Sequence, residues 1–288
     1  MKYFAPFFRI CLVFCIIWFL SRTVIFLLPG DPAEFLVHES LVKITPDELR
    51  LKMGLNQSVL KRVFSWPSSH SLVKKEASAT LVADAFYHSS LLAVLTLVLA
   101  SFLTGTALYF SFKGAKFRNL AFHLSAILAS IPVFVAGPVV LLIFSVGLKW
   151  VSPVQNPVLP VMTLSLYLSG FWFRALQSKI EAFLPESPVS GARVRGLPES
   201  TVFFKYLLAP ISGGFASYVG TQIGILLNGS LLIEIIFQWP GLGSLLADSI
   251  LSRDYPVIEF SLLVVTLLTL CSQQLGYSLE KLWDPRLI

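Results

Sequence analysis

Few residues of this chain have both the type and the setting to do chemistry, and the clearest is Glu234. It stands near one end of Leu207–Ile236, an apolar run of membrane length in which it is the sole charged residue. A carboxylate at membrane depth costs about 2.5–3.5 kcal/mol or more unless it is paired or wetted. Glu234, with Gln222 and Asn228 in the same run, is therefore a candidate for a translocation path or gate. A second reading stays open: Glu234 lies about one helical turn from Trp239 and can hydrogen-bond to the adjoining loop. Gly213, Gly214, Gly220 and Gly224 in that run suit close helix packing. No catalytic residue stands out. His38, His70, His88 and His123 show no metal-ligand spacing, and Cys11, Cys15 and Cys271 sit in apolar runs without a ligand pattern, so no metal or other cofactor is indicated. There is no Gly-x-Ser-x-Gly elbow. No phosphate-binding Gly-x-x-x-x-Gly-Lys-Ser/Thr loop occurs either, so an energised pump would take its ATPase from another polypeptide.

The elements that must position these residues are membrane spans. Hydrophobic residues make up 55% of the 288, and charged residues only 13%, against roughly 25% in soluble domains. The mean hydropathy is +0.76. The net charge of +6 comes without a basic cluster interleaved with aromatics, which argues against nucleic acid and for loops held on the inner side. A span needs about 20 mostly apolar residues. Six stretches qualify: Phe7–Leu28, Phe86–Phe112, Leu120–Leu148, Val158–Phe173, Leu207–Ile236 and Val257–Leu279. The expectation is an all-α, six-span polytopic membrane protein. The first run is longer than a signal-peptide core and lacks a cleavage site, so it reads as an uncleaved anchor. Pro132, Gly137 and Pro138 are expected to interrupt the third run.

Lys113, Lys116 and Arg118 fall between the second and third runs, and Arg174, Lys179, Arg193, Arg195 and Lys205 between the fourth and fifth. The alternate short loops hold only Lys149 and Arg253. The positive-inside rule then places both termini in the cytoplasm and Trp239-Pro240-Gly241 outside. The chain divides into an anchor with an outer, periplasmic segment (1–85) and a five-span body (86–288), with a cytoplasmic loop over 174–206.

Two loops have designs of their own. Between the last two runs, Trp239-Pro240-Gly241 stops a helix. Leu242, Leu245, Leu246, Ile250 and Leu251 then recur at helical spacing, with Ser244, Asp248, Ser249 and Ser252 on the other side, which predicts a short amphipathic helix lying at the membrane interface. In the cytoplasmic loop, small residues and the glycine of Ala192-Arg193-Val194-Arg195-Gly196-Leu197 allow a compact helix and a reversal, while Arg193 and Arg195 offer charge-assisted contacts to a partner. On residue types alone, a positive-inside loop that merely fixes topology is the favoured reading. In the outer segment, Thr45-Pro46-Asp47-Glu48 forms a capping box with proline at the first helical position.

Together these strings resemble the inner-membrane permease subunits of the dipeptide, oligopeptide and nickel branch of ATP-binding-cassette (ABC) importers. The resemblance is carried by Trp239-Pro240-Gly241-Leu242-Gly243, by Arg253-Asp254-Tyr255-Pro256, and by Ala192 to Leu197. It extends to Leu27-Leu28-Pro29-Gly30-Asp31-Pro32-Ala33, to Thr45–Leu49 with Met53-Gly54-Leu55-Asn56-Gln57 after it, and to Leu282-Trp283-Asp284-Pro285-Arg286. It implies a type I importer fold in the cell inner membrane and translocation of peptides by alternating access. The implied partners are a second permease, as a heterodimer, two ATP-binding subunits and an extracytoplasmic solute-binding protein. Lipid surrounds the spans. The 192–197 helix would dock in a cleft of an ATPase subunit. Departures from the family pattern also stand out. Val189-Ser190-Gly191-Ala192 replaces the usual acidic-Ala-Ala opening, and Gly196 to Pro210 is about four residues short, roughly one helical turn. Trp66-Pro67-Ser68-Ser69-His70-Ser71 replaces a Gly-Asp-Leu-Gly-x-Ser element. The alternative, from another class, is a secondary transporter driven by an ion gradient, which should show buried carboxylates and repeated halves.

Overall fold

The computed structural model describes residues 4–27, 33–34, 37, 45–52, 56, 70–71, 73–74, 76–152, 155–184, 188–211, 215, 218–220, 222–223, 226 and 230–283. Apart from one isolated bridge between His70 and Ala77, the regular structure among these residues is helical, as expected for an all-α membrane protein. Three helices there are long and apolar enough to cross a membrane: Ser78–Lys113, Val158–Phe183 and the stretch Tyr255–Gly276. A fourth crossing exists if the bent pair Ala115–Ser130 and Val133–Gly147 is one span. In chain order the elements are α1 (Phe4–Leu27), α2 (Pro46–Lys52), α3 (Ser78–Lys113), α4 (Ala115–Ser130) and α5 (Val133–Leu141), the last running into a π-helical turn, Leu142–Gly147. After these come α6 (Val158–Phe183), α7 (Val189–Val194), α8 (Glu199–Thr201, continued by a π-helical stretch Val202–Leu208), α9 (Leu231–Ile236), α10 (Leu242–Leu251) and α11 (Tyr255–Trp283).

The helix ends arise from local chemistry. At α2 the Glu48 N–H reaches the Thr45 hydroxyl at 3.4 Å, and the backbone N–H of Leu49 reaches the Thr45 carbonyl at 3.1 Å, so the Thr45 side chain caps the helix as expected. Arg50 then ties the helix to Asp47 at 2.7 Å and to Glu34 at 2.6 Å. Before α6, the Asn156 side chain accepts the Val158 N–H at 3.0 Å.

The third expected span breaks, but at one proline only. Its two halves meet at 97°. Ile131 is extended (φ −83°, ψ 118°), because the ring of Pro132 disfavours the helical conformation of the residue before it. Pro138, expected to interrupt as well, lies inside α5 without ending it. The π-helical turn beginning at Leu142 comes directly after. It closes with the Leu148 N–H on the Ile143 carbonyl at 2.9 Å and the Ser145 hydroxyl on the Val151 carbonyl at 2.8 Å. The fourth span also runs past Phe173 to Phe183, so Arg174 and Lys179 stand on helix rather than in a loop.

The chain forms two compact units, one of Met1–Ser89 with Pro240–Cys271 and one of Ser90–Trp239 with Ser272–Ile288. In the first, Val82, Ala85, Leu242, Leu245 and Val257 make the core. In the second, one cluster gathers around Leu159, Leu168, Trp172, Ile233 and Trp239. Another gathers around Phe173, Leu176, Ile180, Val202, Phe203 and Leu207. Within that unit α4 packs closely on α6, where a Cβ on Gly170 would lie 3.0 Å from the Ser125 carbonyl oxygen. Gly220 lies against α11, where a Cβ would sit 2.4 Å from the Cα of Gly276. Small residues let membrane helices approach this closely.

Candidate functional site

The loop after α6 is a helix, a glycine turn and a second helix. α7 is only six residues long; its end is fixed by Gly196 at φ +74°, a left-handed conformation that residues with a Cβ rarely adopt. The Gly196 N–H bonds to the Arg193 carbonyl at 2.9 Å, and the Leu197 N–H to the Ala192 carbonyl at 3.3 Å. Pro198, itself extended, leads into the next helix. From Glu199 the shortened stretch is helical, with the π-helical segment Val202–Leu208 in place of regular turns. A π-helical segment holds more residues per turn, so it changes the direction in which later side chains point relative to a regular α-helix.

The loop has a buried base and a bare tip. Val189 and Ala192 are buried in one cluster with Phe173, Leu176 and Ile180 of α6 and with Val202, Phe203 and Leu207. Arg193, expected to contact a partner, is engaged within the chain. Its guanidinium makes two parallel bonds to the Glu199 carboxylate, both at 3.0 Å, and lies 4.7 Å from the centre of the Phe112 ring. Both tie the loop to itself and to the end of α3. Val194 is 89% exposed; Arg195 and Gly196 are exposed beside it, and Leu197 is half-buried. Sequence reasoning misses Glu199 and Phe112, though an arginine six residues before a glutamate across a glycine turn is a visible signal.

The turn at Trp239 and Pro240 is built the other way, by burial. Trp239 is buried beside Ile233 and Phe237, and its backbone N–H donates to the Glu234 carbonyl at 2.7 Å. The reversal uses Gln238 at φ +50°. Gly241 precedes α10 in an extended conformation, and its carbonyl accepts the Leu245 N–H at 2.9 Å. The Leu242 N–H donates to the Ser89 hydroxyl at 2.8 Å. On α10 the inward face is Leu242, Gly243, Leu245 and Ser249, while Ile250 and Leu251 are exposed. Of the expected apolar side, Leu242 and Leu245 pack inward, whereas Ile250 and Leu251 are left exposed; Ser249 of the polar side is buried. Arg253 turns the chain at φ +52°. Asp254, 3% exposed, accepts the Ser71 hydroxyl and, at 3.5 Å, the Val73 N–H, and Ser71 in turn accepts the Lys74 N–H at 2.8 Å. Tyr255 is buried at the start of α11, with Pro256 next in its first turn. The last residue of the atypical 66–71 stretch is thus a structural tie.

Glu234 is fully buried and accepts the Ser230 hydroxyl at 2.9 Å. Gln222 is half-buried on helix. Asn228 lies outside the described residues, as do Pro29–Pro32, 53–55, 66–69 and Asp284–Arg286. Among the described residues no cluster of His, Cys, Asp or Glu could hold a metal ion.

Known proteins are similar to this chain in sequence and in fold. Residues 97–288 match the model of a family described as binding-protein-dependent transport system inner membrane component. The glutathione transport system permease protein GsiC of Salmonella paratyphi A is 31% identical over 258 residues, 84% of this chain and 83% of its own length. The protein of the same name from Escherichia coli is 29% identical over the same extent. In structure, the chain is similar to an amino acid ABC transporter crystallised with histidines. That match has a TM-score of 0.54 and 13% identity, and covers 72% of this chain and 94% of that one.

Proposed function

The chain belongs to the binding-protein-dependent transport system inner membrane components, the permease subunits of ABC importers, and from that premise we propose that it passes peptides through the membrane, driven by ATPase subunits docked on its 188–208 loop. Family membership sets aside the ion-driven carrier that composition alone left open. The relatives named above are glutathione permeases, and glutathione is itself a small peptide, which supports that cargo class. The proposed assembly adds a second permease, two ATP-binding subunits and a solute-binding protein outside, with both termini of this chain in the cytoplasm.

The observation that carries the docking reading is the exposure of Val194 at the tip of a loop whose base is buried. An apolar side chain held out from a rigid base suits insertion into a groove, with Arg195 beside it for a charge-assisted contact. Mechanically, a push on the tip cannot be absorbed locally. Ala192 and Val189 bear on α6, and Arg193 bears on Phe112 at the end of α3, so movement of the ATPase cleft passes to two spans together. Half-buried Gln222 is proposed to face the path, while Glu234, fully buried and bonded to Ser230, braces the turn that leads to Trp239.

The test is recovery of tagged chain from detergent-solubilised membranes, with a Val194→Cys variant for crosslinking. Wild type should bring down a nucleotide-binding ATPase, and the cysteine should crosslink to that subunit in a nucleotide-dependent way. A well-folded, monodisperse chain that recovers no ATPase would remove the docking reading.

A further inference from the structure

A groove of about 350 Å³ opens between α3, α4 and α6, lined almost wholly by apolar side chains including Phe110, Phe117, Leu124, Leu128 and Phe173. Along α4 it runs from Phe117 to Leu128, about 16 Å at 1.5 Å per residue. That is close to half of a hydrocarbon core about 30 Å thick, the depth of one leaflet.

Basic residues stand one helical turn from residues that line one end of the groove. α3 runs towards Lys113, α4 starts just after it, and α6 runs towards Arg174, so all three helices bring basic residues to one end. Lys113 is one turn beyond Phe110, and its ammonium lies 4.4 Å from the centre of the Tyr109 ring. Arg174 is one turn beyond Gly170, and its guanidinium lies 5.5 Å from the Phe122 ring of α4. Arg118, exposed, is one turn before Ala121 and Phe122. No acidic residue occurs between Asp84 and Glu181, so no carboxylate of these helices' groove segments offsets the charge.

We propose that this groove holds one acyl chain of an anionic phospholipid, with its phosphate among Lys113, Arg118 and Arg174. An acyl chain meets the length and chemistry of the groove. A phosphate meets the collar, because basic residues at a membrane surface draw anionic headgroups. A zwitterionic lipid offers the same phosphate but adds an ammonium that the basic residues repel, so an anionic lipid is preferred. The site adjoins the 188–208 loop: Phe173 lines the groove and also packs in the cluster that buries Val189 and Ala192. Lipid bound here would stiffen the wall on which that loop stands.

The test places the full chain in nanodiscs of mixed phosphatidylglycerol and phosphatidylethanolamine and measures the lipid retained after delipidation by native mass spectrometry. Wild type should retain phosphatidylglycerol preferentially. A Lys113→Gln, Arg118→Gln, Arg174→Gln variant should lose that preference, by about fivefold per charge removed. These side chains are exposed, so its elution profile should stay that of wild type. Ala121→Phe, which fills the groove, should lose the retained lipid with the collar intact. A photo-reactive phenylalanine in place of Leu124 should label lipid. Equal retention of the two lipids by wild type, an undiminished preference in the triple variant, or labelling of a polypeptide at 124 would each overturn the proposal, the last in favour of a helix from a second subunit.

Discussion

Two short helices stand between spans of this chain, and they are held by opposite means. α7, in the 188–208 loop, buries Val189 and Ala192 but keeps Val194 and Arg195 in the open, and the Arg193–Glu199 ion pair that braces it is half-exposed. α10, after the Trp239–Pro240 turn, is held by buried hydrogen bonds from distant chain: Leu242 to Ser89, and Ser71 to Asp254. The first presents a surface; the second closes one. Strings that look equally distinctive in sequence thus do different work, one by what it leaves bare and the other by what it covers.

The contrast can be broken at its strongest points first. Phe203→Ala, at the base of the first loop, empties a position only 1% exposed and should cost about 3–5 kcal/mol. It would be seen as a lower thermal midpoint by size exclusion after heating, with loss of ATPase recovery. Asp254→Ala, in the second region, leaves the Ser71 hydroxyl and Val73 N–H without their buried acceptor. A loss of about 1.5–3 kcal/mol is expected for a bond to a charged group, again read from the thermal midpoint, and ATPase recovery measured on the cold-purified protein should be kept. Gly196→Ala meets no atom within 4 Å but must hold φ +74°, which should cost about 1–2 kcal/mol and reduce crosslinking from position 194. Glu199→Gln should cost no more than about 1 kcal/mol, since its pair with Arg193 is half-exposed. Smallest in stability is Val194→Asp, within about 0.5 kcal/mol, yet it should abolish ATPase recovery. Were Val194→Asp to unfold the protein, or Asp254→Ala to abolish ATPase recovery without lowering stability, the contrast between the two regions would be wrong.

What could be read in the sequence was local. Thr45-Pro46-Asp47-Glu48 announces a helix start because its partners are three residues apart, and Gly196 announces a reversal because few residues accept its backbone angles. Bonds between Ser71 and Asp254, or between Ser89 and Leu242, join residues more than 150 positions apart, and no spacing reveals them. The prolines show a subtler limit. Pro132 and Pro138 are chemically identical, but the extended backbone of Ile131 makes the first a corner. The second is tolerated inside a helix, immediately ahead of a π-helical turn. On α10, the spacing shows an amphipathic helix at the interface, and Ile250 and Leu251 are exposed as lipid contact allows. That Ser249 packs inward is not visible in that spacing. Glu234 was visible as an isolated carboxylate; its Ser230 partner, four residues away, was within local reach.

The contact of Gly220 with Gly276 has a consequence for how much these helices can change. A Cβ at 220 would need to retreat by about 1 Å to reach the 3.4 Å of ordinary contact, and it meets backbone rather than a side chain that could swing aside. With no hydrophobic force to hold helices together in lipid, attraction here depends on that close approach. Position 220 therefore favours glycine strongly, and any larger residue there should force the two helices apart, so mutational tolerance should be lowest at that point.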